Sequence, residues 1–351
     1  MNWFDWMPDS RHVVLQFRSE VGASSLWLAD LTSPHLTSLA NSEVSKNAPS
    51  VSPDGTKIAY AATDLNWDIL QIDLKSRAVT PLVTGSLYEG WPAWLPSGQQ
   101  IAYSTKRSGR SEIWMKSLQE GWSRPVLTPD DFPDEPSLLL VQPAISPNGR
   151  AIVYQRFSAS GTHLFVSPLD EGKPVRLAAS APRQDFPSWS PDGNWIAFLS
   201  ERVVKKVRVG GGADPIDLRT DAGRNSGLRW SASTGKILYT SRQGLTVINE
   251  DGTQPHVLSA EPLLVYDWAP DGSRVYAIRE TGQRQLELVT IDSHTGQFQH
   301  VAELGPMTVS PEPIGNADTV RSLRISPDGT RAAFAYLHPH SDIWMLERVK
   351  H

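Results

Sequence analysis

Cysteine is absent from the 351-residue chain. Disulfides, thiolate metal sites and cysteine nucleophiles are therefore excluded. No apolar run reaches the roughly 18 residues that a membrane-spanning helix needs. The first ten residues, Met1 to Ser10, hold no basic segment followed by an apolar one, so no secretory leader is visible there. Charge of one sign is scarce as well: 33 Lys and Arg stand against 38 Asp and Glu, a net charge of −5, with no long run of either. A basic nucleic-acid footprint is missing, and so is a polybasic membrane patch. No stretch of about ten residues keeps a helical period. The Gly-x-Ser-x-Gly elbow, His-Glu-x-x-His and a phosphate loop ending Gly-Lys-Ser/Thr are all missing, which weighs against a self-contained hydrolase, a zinc protease or a nucleotide site.

What the chain has in abundance is turn formers and bulky core material: 25 Gly, 27 Pro and 13 Trp, with 39% hydrophobic residues. One phrase recurs eight times. It reads Trp6-Met7-Pro8-Asp9, Val51-Ser52-Pro53-Asp54-Gly55, Trp94-Leu95-Pro96-Ser97-Gly98 and Ile145-Ser146-Pro147-Asn148-Gly149. It continues as Trp189-Ser190-Pro191-Asp192-Gly193, Trp230-Ser231-Ala232-Ser233, Trp268-Ala269-Pro270-Asp271-Gly272 and Ile325-Ser326-Pro327-Asp328-Gly329. The third positions, 8, 53, 96, 147, 191, 232, 270 and 327, lie 45, 43, 51, 44, 41, 38 and 57 residues apart. Insertions at 129–140 and 305–318 account for the two long gaps. Proline presets φ, Asp or Asn caps the turn, and Gly takes the left-handed position. An apolar strand follows each turn, such as Ile58-Ala59-Tyr60 or Ile196-Ala197-Phe198. A third strand follows it, such as Glu112-Ile113-Trp114-Met115, and a fourth closes most units, such as Arg124-Pro125-Val126-Leu127.

Four short antiparallel strands at a period of about 40–45 residues make a propeller blade. A lone blade exposes two apolar faces, so neighbours must stack. The expected fold is therefore all-β: one β-propeller domain over 1–351, with eight blades of four antiparallel strands. The approximate blades are 1–42, 43–85, 86–129, 141–180, 181–221, 222–260, 261–304 and 319–351. Seven blades is the alternative if the degenerate sixth copy is displaced. The last repeat stops in its third strand, so it is expected to lack its outermost one, either as a three-stranded blade or because the sequence is cut from a longer protein.

The motif aromatic-Ser-Pro-Asp-Gly-x-x-Ile-Ala-Tyr resembles the PD40 repeats of TolB-like propellers, over nearly the whole chain. Lys205-Lys206-Val207-Arg208-Val209-Gly210-Gly211-Gly212 is similar to propeller sensor regions attached to bacterial serine/threonine kinases and winged-helix regulators. The resemblance implies a binding or sensor domain rather than an enzyme, in a periplasmic or other extracytoplasmic setting. It also implies an N-terminal segment that completes the last blade.

Candidate chemistry is sparse. His338 and His340 could hold a divalent ion if a third ligand approached, and Asp130, Asp131, Asp134 and Glu135 crowd one insertion. Exposed loops explain both, so neither metal nor cofactor is expected. Gly210 to Gly212 reads as a turn. The turn Asp residues are explained by capping, and the periodic Trp6, Trp94, Trp189, Trp230 and Trp268 by packing between blades. The loops joining second to third strands, and one blade to the next, share the face opposite the Pro-Asp-Gly turns. Glu89, Trp91, Arg183, Asp185, Phe186, Tyr266 and Arg321 enter first strands there. Arg107, Arg110, His338 and His340 lie in the second-to-third loops. This mixed surface suits a protein, a peptide or a polar small molecule. The alternatives are a metal-dependent polysaccharide lyase or hydrolase at the channel mouth, and the detached propeller of a prolyl-oligopeptidase-like peptidase.

Overall fold

All eight phrases form the turn they encode. The computed structural model of the chain describes residues 3–18, 24–40, 45–85, 88–133, 138–170, 172–210, 212, 214–223, 227–282, 285–306 and 320–347. Gly55, Gly98, Gly149, Gly193, Gly235, Gly272 and Gly329 sit at φ of 67–71°, the left-handed region that glycine enters without steric cost. Within the turn, Ser190 Oγ donates to Asp192 Oδ1 (2.5 Å), Asn194 N donates to the same oxygen (3.0 Å), and Trp195 N donates to Ser190 Oγ (2.9 Å). Ser326 and Asp328 repeat the pattern, and Asn148 does the same as a neutral amide.

These donors hold the turn carboxyls below the ordinary range, Asp54 at about 2 and Asp192 and Asp328 in the same direction. A depressed folded pKa contributes stability above the unfolded value of 3.8 and loses it as pH falls through the folded value. The triple variant Asp192→Asn, Asp271→Asn, Asp328→Asn should therefore be less stable than the parent at neutral pH. The gap should narrow as pH is lowered from neutral through 3.8, the ordinary aspartate value, and below. Urea melts across that range measure it, and a gap independent of pH would refute the charge argument.

The described residues fall into two units. The first holds 3–66 and 337–347. Its leading sheet runs Phe4–Trp6, His12–Arg18, Ser24–Asp30, Leu36–Ala40 in order. Ser45–Val51 pairs with 57–63 beside it, and Lys57 Nζ lies 3.3 Å from Glu347 Oε1 on the neighbouring strand. Met7, Val14, Leu28 and Ile58 pack together, as do Leu26, Tyr60 and Ala62, with Leu346 against both groups. Trp6, expected to pack between blades, is half exposed.

The second unit, 67–306 and 320–336, carries six four-stranded blades. Blade A comprises Glu89–Trp94, Gln100–Thr105, Glu112–Ser117 and Ser123–Leu127. Blade B begins at Leu139–Ile145, blade C at Asp185–Trp189, blade D at Leu228–Trp230 and blade E at Val265–Trp268. Blade F begins at Val320–Ile325 and continues through 331–336. Its third and fourth strands come from far upstream, 67–73 and Val79–Val83. Leu74 N donates to Thr330 O (2.9 Å), the same bond that Leu118 N makes to Gln99 O within blade A. The last repeat is thus not left with three strands. The segment expected as one blade, 43–85, is shared between the two units because Lys57–Asp73 runs as a single 17-residue strand.

The fold class is an all-β propeller, with a blade count consistent with eight. Within the second unit, each first strand touches the next in the cycle A, B, C, D, E, F and back to A. Tryptophan enforces the spacing. Trp189 Nε1 donates to Ala144 O (2.9 Å), Trp268 Nε1 to Arg229 O (3.3 Å) and Trp94 Nε1 to Arg324 O (3.1 Å), each reaching the preceding blade. Trp230, in the degenerate copy, donates instead to Gly235 O of its own turn (2.8 Å).

Candidate functional site

Both ends of the six first strands in the second unit are informative. At the C-terminal ends, the turn residues enclose a cavity of about 340 Å³. Together with the turn prolines, it is lined by Trp94, Ile145, Trp189, Trp230, Trp268 and Ile325. One residue before each of these comes Ala93, Ala144, Ser188, Arg229, Asp267 and Arg324. Three consecutive blades therefore present small side chains and the other three present charges. This cavity lies on the turn face, opposite the loops that the sequence singles out. No motif marks it, because the charged residues occur once each at a position that is otherwise small.

At the N-terminal ends, first strands are bulged. Trp91 (φ 54°), Gln142 (55°), Phe186 (55°) and Ser322 (50°) all adopt left-handed backbone, beside register shifts in blades A, B, C and F. Positive φ on a bulky residue is a true outlier, and bulges re-aim side chains near functional sites. The Trp91 and Phe186 rings meet edge-on at 6.2 Å. They come from blades A and C, so both cross the ring interior past blade B. There Gln142 Oε1 accepts from Phe186 N (2.6 Å).

The other residues expected at this face divide into groups. Arg321 lies 4.5 Å above the Trp67 ring, and Trp67 tilts against Tyr88 at 6.5 Å. Burial pushes the Tyr88 phenol up to about 12, against the opposing pull of Arg321. Arg183 Nε bonds Asp185 Oδ2 (2.7 Å), whose other oxygen accepts from Gln155 Nε2 (2.5 Å). Arg107 Nη2 stands 3.8 Å from Glu89 Oε1 and its guanidinium stacks on Trp114. Glu89 is 1% exposed, and burial raises its pKa. A carboxyl of that kind is an acid candidate by electrostatics, and here its side chain is almost wholly buried. Arg110 pairs with Asp130 (2.9 Å) on the surface.

Tyr266 is not loop surface either: it is buried, its hydroxyl donates to Gly227 O (2.5 Å), and burial pushes it to about 12. It ties blade E to blade D. His338 and His340 lie in the part of the strand Arg331–Glu347 that belongs to the first unit, rather than in a loop. His338 is exposed, and the His340 side chain lies outside the described residues. Asp131 caps a one-turn helix through Thr128 N (2.8 Å). Asp134 and Glu135 lie outside the described residues. Of the expected site residues, Trp91 and Phe186 meet at the N-terminal ends of first strands, Arg321 stacks on Trp67, and Glu89, Arg107, Arg183 and Asp185 form ion pairs.

Residues 4–140 match the TolB beta propeller domain model, PD40, and residues 232–341 match the lipoprotein LpqB beta-propeller domain model. The chain thus resembles TolB-like PD40 propellers, its repeats matching that family over residues 4–140. A Tol-Pal system protein TolB of Francisella tularensis is 24% identical over 240 residues, 67% of this chain and 52% of the relative. An uncharacterized protein of Agrobacterium fabrum is 26% identical over 213 residues, 55% of this chain and 67% of the relative. The solved structure of TolB from Acinetobacter baumannii superposes with a TM-score of 0.56 at 12% identity, over 86% of this chain and 84% of that one. The match spans about half the length of the Francisella protein. At these identities the solved structure supports the TolB-like fold and leaves the role to be argued from the residues.

Proposed function

We propose that this TolB-like propeller is a non-catalytic binding domain, the sensor or interaction part of a bacterial signalling or TolB-like protein. It would take a protein or peptide ligand at the mouth of Trp91, Phe186 and Arg321. The observation that carries this reading is the run of non-glycine left-handed residues in first strands. Strained backbone of that kind costs of order 1–3 kcal/mol per residue and persists where the surroundings over-determine it. Here the strain holds two rings across the ring interior, and aromatic residues and arginine are the anchors that protein interfaces favour. The Francisella relative is named as part of a Tol-Pal system, and the protein-partner reading accords with that name. The ion pairs nearby supply a polar rim.

A random peptide display library selected against the purified chain tests this. Selected peptides should bind saturably and without turnover, and Trp91→Ala should weaken them at least tenfold. Anchor residues commonly cost ≥ 2 kcal/mol on truncation. Turnover of model peptide, ester or uronide substrates, abolished by one substitution at this mouth, would replace the reading with an enzymatic one. Binders indifferent to Trp91→Ala and Phe186→Ala would move the partner elsewhere.

A further inference from the structure

The turn-face cavity holds a charge imbalance that the fold does not need. Arg229, Asp267 and Arg324 are the charged residues lining it, two cations to one anion, at equivalent places in blades D, E and F. At the same place the other copies carry Asp5, Ser50, Ala93, Ala144 and Ser188, and Asp267 repeats the bond that Asp5 makes to the next first strand, so the repeat does not call for the two arginines. Arg229 is 8% exposed. Its Nη1 donates to Leu228 O (2.6 Å), while its Nε finds no acceptor and stands 3.7 Å from Asp267 Oδ1. Asp267 Oδ2 accepts from Ile325 N (2.9 Å), and Arg324 Nη1 donates to Leu323 O (3.1 Å). Each guanidinium has five N–H groups in a planar fork, so donors remain unspent on both sides of the single carboxylate. Burial first, and then the neighbouring Arg229 charge, lower Arg324 to about 9.

Opposite the charges stands a wall of Ala93, Ala144 and the rings of Trp94 and Trp189. A volume of about 340 Å³ falls at the small end of ligand pockets. We propose that this cavity binds one small amphiphilic carboxylate. Its anionic head would take the free donors of Arg229 and Arg324, and its apolar body would lie on the Ala and Trp wall. Arginine forks match planar carboxylates. Asp267 sets the cost of entry, since it competes for the same two cations.

Isothermal titration of the full chain with octanoate, octanamide and inorganic phosphate tests the assignment, with circular dichroism to verify folding of each variant. Octanoate should bind one per chain, at least tenfold tighter than octanamide and tighter than phosphate. Arg324→Met should weaken octanoate at least tenfold. Asp267→Asn keeps an acceptor for Ile325 N and should bind octanoate more tightly than the parent. Equal binding of octanoate and octanamide, a preference for phosphate, no binding at all, or octanoate binding unchanged in folded Arg324→Met would each overturn the proposal. These ligands report on the turn face, so their outcome is separate from peptide binding at the other mouth.

Discussion

Phe198→Ala is expected to lower the stability of the second unit by about 3–5 kcal/mol. Phe198 is fully buried and packs with Val153, Leu164, Trp189, Ile196 and Val207, which belong to blades B and C. It holds the aromatic place of the Ile-Ala-Tyr phrase, shared by Tyr103, Tyr154, Tyr239 and Phe334, all fully buried. Each such ring fills the gap between one sheet and the next. Removing one leaves a cavity that two stiff sheets cannot collapse around. In stacked repeats stability is roughly a sum of units and nearest-neighbour interfaces, so the loss should fall on the B–C interface first. Guanidinium melts give the total, and amide exchange should show blades B and C opening before blade E. A loss under about 1 kcal/mol would mean that these rings are peripheral to the core.

A proline at Ile72 should cost as much or more, about 3 kcal/mol at least, for a different reason. Ile72 is fully buried in the third strand of blade F and packs with Leu323, Ile325 and Phe334. That strand meets 331–336 without the short hairpin that joins second and third strands in the other blades. Proline there removes a ladder donor and strains the pair. Outer strands tolerate the same residue, as Pro81 and Pro125 already show. The variant Val79→Ala, at a 40% exposed place on the outer strand, should stay within about 0.5 kcal/mol of the parent. If Ile72→Pro melts like Val79→Ala, blade F is not closed by the upstream strands.

The parts of this fold that repeat were readable from the amino acids, because a turn needs its Pro, Asp and Gly at fixed offsets and a half-buried strand needs its alternation. The turns at Gly55 through Gly329 and the buried aromatic of each second strand follow from those local rules. The bulges were not readable: Trp91, Gln142, Phe186 and Ser322 share a backbone conformation but no chemistry, so position alone unites them. Nor was the division of Lys57–Asp73 between two units, since a strand's sequence states which faces are apolar and not which partner covers them. The expected site met a mixed fate for the same reason. Tyr266 and Glu89 have the composition of a surface loop, and only the packing of adjacent first strands buries them. The charged trio lay in plain view as Arg229, Asp267 and Arg324, each one residue before the repeat phrase, yet single departures from a repeat look like drift until three adjacent blades align them.

The borrowed half of blade F also sets a timetable. Residues 67–83 leave the ribosome early, but the strands they pair with end at residue 336. At about 5–20 residues per second, the ribosome takes roughly 10–50 s to make the intervening stretch. Through that interval an apolar strand bearing Ile69, Leu70 and Ile72 has no ladder on one side, the kind of open edge that invites wrong partners. Blades A to E can each form from contiguous chain as they emerge. Completing the ring is therefore the last and most non-local event in its assembly, and the step at which a chaperone or a competing β-strand has the most time to intervene.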